Sequence, residues 1–229
     1  KNAQKYICAN PESIHTYSLT DQEKGCGIAT ADCLVPVVKG GNIEYVKPNH
    51  WFMDWSIQAI TEYRQSKKCR FQNTDFYFKN GIGIPMIRSS KLTGALIDGR
   101  LFDQSIVGVF PKDDTSVYYL LGFLNSSVCT ELVNAINPST NNSANYIKKI
   151  PFVTPCDDVR FKVEALVENI VTTLKSGKSD IEAERRELDE IFTNLYFKGI
   201  GADNRETSKS KASTRQLDLF GCSGNIQTM

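Results

Sequence analysis

The chain has 229 residues, 41% of them apolar and 23% charged, and a formal net charge of +1. That is enough apolar material for one sizeable core or two small ones. It contains no apolar run long enough to span a bilayer and nothing that resembles a signal peptide.

Its first residue, Lys1, reads as the start of a fragment or a processed product. The seven cysteines (Cys8, Cys26, Cys33, Cys69, Cys129, Cys156 and Cys222) are odd in number and widely spaced, with no Cys-x-x-Cys pair. They read as reduced, structural thiols of a cytosolic protein, and His15 and His50 are too isolated to complete a metal site.

Residues 1–50 read as short strands. Cys33-Leu-Val-Pro-Val-Val38 is apolar and β-branched, with Pro36 marking an edge strand or a bulge. Lys39-Gly-Gly-Asn42 is turn chemistry, and Ile43-Glu-Tyr-Val46 resumes a strand. Asp54 is expected to cap a helix through Ser66 whose apolar members are Trp55, Ile57, Ile60 and Tyr63. Trp51 and Trp55 read as packing residues rather than base-stacking platforms.

Three further strand-like runs follow: Phe76-Tyr-Phe78, Gly83-Ile-Pro-Met-Ile87 and Ser105-Ile-Val-Gly-Val-Phe110. The connection from Arg88 to Arg100 is polar and basic, the kind of long loop that is either functional or mobile. It ends a window, Arg64 to Arg100, that holds eight bases against two acids, net +6, in a chain that is otherwise acidic on balance. Such clustering is a candidate phosphate footprint or an ordinary solvated face.

Val117 to Ile136 reads as helix broken near Asn125-Ser-Ser127. An Asn- and Ser-rich loop, Asn137 to Asn145, and the segment Tyr146-Ile-Lys-Lys-Ile-Pro-Phe152 come next. Val163, Leu166, Val167, Ile170, Val171 and Leu174 then recur at three-four spacing. After Ser176-Gly177, a second helix beginning at Asp180 carries Leu188, Ile191, Phe192, Leu195 and Tyr196 on one face, which makes a helical hairpin. Whether the hairpin belongs to the preceding domain or stands beside it as an arm stays open. From Gly201 the chain is polar and reads as disordered.

No catalytic motif is present. Asn10-Pro11-Glu12 and Asn137-Pro138-Ser139 do not continue to the Pro-aromatic pair of an adenine-holding turn, and Gly81-Ile-Gly83 lacks the support a cofactor loop needs. Pro111-Lys-Asp-Asp114 has nuclease residue types in the wrong arrangement, and neither histidine sits in a nucleophile context.

An ordered series of short landmarks, from about Lys24 to Phe152, resembles the C-terminal target-recognition region of type IIG and related adenine-N6-specific DNA methyltransferases. The landmarks are Gly25-Cys-Gly-Ile-Ala-Thr30, Lys39-Gly-Gly41, the Tyr45 to Trp55 segment, Gln72-Asn-Thr-Asp-Phe-Tyr-Phe-Lys-Asn-Gly-Ile82, Leu120-Leu-Gly-Phe-Leu-Asn-Ser126, Ile136-Asn-Pro-Ser-Thr-Asn141 and Ile147-Lys-Lys-Ile-Pro151. Ala31-Asp32 departs from the pattern.

The elements predict an α+β fold: a mixed, mostly antiparallel sheet recognition domain over residues 1–155, a helical hairpin over 156–200 and a flexible tail over 201–229. The resemblance implies sequence-specific recognition of double-stranded DNA, within a bacterial restriction-modification system, by a chain that itself binds no cofactor. The S-adenosylmethionine-dependent methyltransferase domain, absent from this sequence, would then be its partner. The alternative role is a docking module for that domain or other subunits.

The candidate DNA-binding residues lie in two polar loops. Arg88 is suited to bidentate guanine contact, and Ser89, Ser90, Lys91 and Thr93 to bases or phosphate, with Arg100 ending the segment. Asn141, Asn142 and Asn145 are suited to adenine, with Lys148 and Lys149 beside them. Surface charge explains Arg88 and Lys91 equally simply, and turn chemistry explains the asparagines. In the tail, Gln216-Leu-Asp-Leu-Phe220 resembles the peptide that docks into the bacterial sliding clamp. Gln216, Leu217, Leu219 and Phe220 would be its anchors, unless they fold back on this domain.

Overall fold

The computed structural model describes residues 11–15, 18–67, 69, 71, 73–112, 116–199 and 215–216. The fold is α+β as expected, with small sheets of mixed and antiparallel pairing.

The first described helix, α1 (Asp21–Cys26), replaces part of the expected strands. Its signal was a capping box: Thr20 accepts from the Glu23 amide while Glu23 reaches back to the Thr20 N–H. Strand β1 (Leu34–Val38) is the centre, not the edge, of a three-stranded sheet with β2 (Phe52–Asp54) and β5 (Leu101–Phe102). It pairs antiparallel with β2 along Leu34–Pro36 and parallel with β5 along Val37–Val38. The second partner begins only after Pro36, whose nitrogen has no proton to give.

Residues 43–46 do not form the expected strand. Tyr45, with φ of 58°, makes a single bridge in which its amide donates to Gly94 O (2.8 Å) and its carbonyl accepts from Leu96 N (2.9 Å).

Helix α2 (Ile57–Gln65) starts two residues later than Asp54 implied. Ser56 is the cap, accepting from Ala59 N, and Asp54 instead accepts from the Ser56 amide at 2.9 Å. Trp55 therefore precedes the helix and is buried with Ala59, Ile60 and Tyr63 in a core shared with Val35, Val37 and Leu101.

The Phe76–Phe78 run is a 3-10 turn (Thr74–Phe76) followed by Phe78 at φ 60°, not a strand. The three consecutive rings spread apart: Phe76 meets Phe110 (4.8 Å), Phe78 meets Trp55 (5.1 Å), and Tyr77 between them meets Phe71 (5.6 Å), Phe102 (5.7 Å) and Trp55 (6.1 Å). An extended strand would send Phe76 and Phe78 to the same side.

A second, antiparallel sheet has the order β4 (Ala95–Leu96), β3 (Ile82–Pro85), β6 (Ile106–Val109), matching two expected strands and adding one. Residues 92–97, expected to be loop, are buried throughout. Gly94 is tied to the helix break by Asn125, whose side chain accepts from Gly94 N (2.8 Å) and donates to Gly94 O (2.9 Å). A buried segment bonded to the helix break in this way is no mobile connection.

Helices α3 (Val117–Leu124) and α4 (Ser127–Ile136) break where expected, with Ser126 capping α4 through Cys129 N. A short α5 (Ala144–Ile147) and strand β7 (Pro151–Phe152) lead to α6 (Asp157–Lys175) and α7 (Glu182–Lys198). The hairpin's apolar faces, Val163, Val167, Ile170 and Val171 on α6 and Leu188, Phe192 and Leu195 on α7, are buried in one core with Leu120, Leu121, Phe123 and Leu124 of α3. Gly122 makes the close crossing possible, because a Cβ there would meet Val167 Cγ2 at 2.9 Å. Strand β8 (Arg215–Gln216) pairs antiparallel with β7.

Among the described residues no helix is long and apolar enough to cross a membrane. The five described cysteines, Cys26, Cys33, Cys69, Cys129 and Cys156, are free thiols.

Candidate nucleic-acid interface

The structure brings the two polar loops into one surface. Ile87 and Asn141 form an antiparallel bridge, Arg88 N donates to Thr140 O (3.0 Å), and Asn142 N donates to Met86 O (2.7 Å). Asn142 adds a side-chain bond from Nδ2 to Pro85 O (3.0 Å) and is itself buried. The junction is organised by Asn137. Its Oδ1 accepts from Ser139 N and Oγ, its Nδ2 donates to Asn141 O (2.7 Å), and its own carbonyl accepts from Arg88. The sequence reading missed Asn137 as a hub. The signal was the Asn-Pro-Ser turn after a helix end, where an Asn side chain commonly satisfies backbone groups.

The candidate residues divide into those that build this surface and those that face out of it. Arg88 is a builder. It is 5% exposed, and its Nη2 donates to Asn137 O (2.7 Å) and Ser139 O (2.9 Å), at the carbonyl end of α4. A cation there also meets the negative end of the helix dipole. In this arrangement Arg88 does not present a fork to solvent.

Thr93 is buried beside the Gly94–Asn125 lock. Lys91 is half-exposed, but its ammonium pairs with Glu44, which also takes Arg185 at 3.2 Å. Arg100 is buried away from these loops, donating to Ile97 O, Lys47 O, Leu96 O and Asn49 Oδ1 at 2.7–2.8 Å. Three bases of the +6 window therefore add no free cation to the surface: Arg88 and Arg100 are internal clamps and Lys91 is paired with Glu44.

The outward residues are Ser89, Ser90, Asn141, Asn145, Lys148 and Lys149, together with Pro138, Ser139 and Thr140. Ile87 stands among them, 73% exposed. Neither segment, 85–93 or 137–149, contains an acid. An acid-free surface of hydroxyls, carboxamides, two lysines and one exposed aliphatic can donate to phosphate oxygens, read base edges and contact a thymine methyl. In the tail, Gln216 lies in β8 with its backbone opposite Pro151, while Leu217, Leu219 and Phe220 lie outside the described residues.

No family model matches the chain. It is 30% identical over 177 residues to the type II methyltransferase M.MjaIV of Methanocaldococcus jannaschii, an alignment that covers 73% of this chain and 56% of that protein. It is 27% identical over 122 residues to the adenine-specific methyltransferase BrxX of Escherichia coli O9:H4, covering 52% of this chain and 10% of that protein. The chain spans about half the length of the first relative and a tenth of the second. By sequence, the chain is similar to part of each of these two methyltransferases.

Proposed function

We propose that this chain is the DNA-reading part of an adenine-N6 DNA methyltransferase or restriction-modification protein, selecting a duplex sequence through the joined loops. The observation that carries the reading is the junction itself. Two segments some fifty residues apart, each rich in base- and phosphate-binding side chains and free of acids, form one surface on a rigid base. The methyl donor, S-adenosylmethionine, belongs in this reading to a separate catalytic domain, which is this chain's partner.

Direct readers are then Asn141, Asn145, Ser89 and Ser90, with Lys148 and Lys149 as phosphate contacts. Lys148→Ala combined with Lys149→Ala is expected to weaken duplex binding by about tenfold and to reduce the slope of log affinity against log salt by about 1.8, the value for two lost phosphate contacts. Fluorescence anisotropy with a randomised duplex at several salt concentrations measures both. An unchanged slope, or duplex binding that ignores salt, sinks the assignment of this surface.

That result would favour a docking role instead. Its supporting observation is the pair of exposed rings on the hairpin, Phe161 (57% exposed) and Phe197 (62% exposed).

The tail motif is a separate proposal. Gln216, Leu217, Leu219 and Phe220 form a short linear peptide suited to an apolar groove on the sliding clamp. A labelled peptide of residues 212–224 is expected to bind a bacterial clamp saturably and to lose at least about tenfold when Leu219 and Phe220 become alanine. Equal binding by both peptides would end the idea.

A further inference from the structure

Lys47 and Arg100 are 6% and 8% exposed, yet neither forms an ion pair among the described residues. Lys47 Nζ donates to Lys39 O (2.7 Å) and Gly41 O (2.8 Å), and Arg100 donates to three carbonyls and the Asn49 amide oxygen. The two cations are neighbours, since Arg100 Nη1 donates to the Lys47 carbonyl at 2.8 Å. Burying one cation without a counter-ion is unfavourable, and a second beside it adds repulsion. Burial first, and then Arg100, pull the Lys47 pKa down to about 8, with Asp103 acting in the opposite sense.

Both side chains line a cleft of about 530 Å³, within the range that takes small ligands. Lys175, at the end of α6, stands on its rim and pairs with Asp98 at 2.8 Å. The lining therefore holds three bases against one acid. Pro36, Pro48, Leu96 and Leu174 supply apolar walls.

We propose that this cleft is an oxyanion site for a phosphoryl group, carried on the DNA backbone or on a small phosphorylated molecule. The phosphoryl oxygens sit at the Lys47–Arg100 wall, whose two cations are only partly offset by Asp103 and Asp98. The carbonyl end of α6 at Leu174 disfavours them there, and the apolar lining of Pro36, Pro48, Leu96 and Leu174 takes the body of the ligand. Lys175 exchanges Asp98 for the incoming anion. The proposal does not depend on the loop surface reading DNA.

Pyrophosphate and a randomised DNA duplex are the two probes, each titrated at fixed ionic strength into the whole chain and two variants. Asn49→Asp is the decisive one. Asn49 is exposed, and an aspartate keeps the acceptor that Arg100 uses while supplying an internal counter-ion. Folding is retained, and anion binding is expected to fall by on the order of tenfold or more. Lys67→Ala, an exposed base outside the cleft, controls for net charge and leaves binding unchanged.

Loss of pyrophosphate and duplex binding together in Asn49→Asp, with pyrophosphate displacing the duplex, assigns the site to the DNA backbone. Loss of pyrophosphate binding with unchanged duplex affinity assigns it to a small phosphorylated ligand. Binding that Asn49→Asp leaves intact, or no saturable pyrophosphate binding together with duplex affinity indifferent to Asn49→Asp, overturns the proposal.

Discussion

Replacing Phe192 with alanine is expected to destabilise the chain by about 3–5 kcal/mol, the range for removing a fully buried phenylalanine ring from a packed core. Phe192 has no exposed surface, and its ring lies 5.6 Å from Phe123 and 5.7 Å from Tyr119, both on α3. The residue belongs to the hairpin, but the cavity it would leave is bounded by α3. Urea denaturation followed by circular dichroism and by tryptophan fluorescence measures the effect from two places. The helices dominate the first signal. The second comes from Trp51 and Trp55, which belong to the core built by β1, β2 and α2.

Both midpoints are expected to move together. Leu96 lies in the first core and Leu101 in the second, five residues apart, and the Arg100 clamp binds the turn between them to Lys47 and Asn49. A shift in the dichroism alone would show that the two cores unfold independently.

Much of the helical half was legible in the sequence. The three-four spacing of Val163 to Leu174 and of Leu188 to Tyr196 reports burial directly, because a helix carries its pattern in one segment. The break at Asn125-Ser126 was equally visible. What the pattern did not carry was the reason: Asn125 holds Gly94, thirty-one residues away.

The sheet half was read less well for the same physical reason. Tyr45, Phe76, Tyr77 and Phe78 are aromatic and strand-prone, but their positions are set by partners distant in sequence, and Tyr45 and Phe78 occupy positive φ. Strand propensity measures fit to a half-buried surface, and several non-strand geometries provide one.

The candidate site shows the same division. The two loops were identified by residue type, and their union was not, because it depends on backbone bonds between residues 86–88 and 140–142. Charge was the least reliable guide. Arg88, Lys91 and Arg100 look alike in the sequence, yet one pins a turn, one is paired with Glu44 and one clamps a buried corner.

Arg88 is where these distinctions become measurable. Arg88→Ala is expected to lower stability by about 2–4 kcal/mol, from two charge-assisted hydrogen bonds at 2.7 and 2.9 Å less the desolvation that the buried guanidinium no longer suffers. The amides of Thr140-bonded Arg88 and Met86-bonded Asn142 report the same event locally. Hydrogen exchange at Asn142 is expected to accelerate as the loop joined to residues 137–142 loosens.

Duplex affinity falls as well, because Asn141 and Asn145 lose their fixed positions, but the salt slope stays unchanged since no phosphate contact is removed. That is the opposite of the signature expected for Lys148→Ala with Lys149→Ala, where the slope falls and stability does not. Arg88→Lys separates the two causes further: it keeps the charge at the end of α4 but loses the guanidinium Nη2 that donates to both carbonyls. A slope reduced by about one in Arg88→Ala, with stability and exchange unaltered, would place Arg88 on the DNA itself and remove it from the base of the surface.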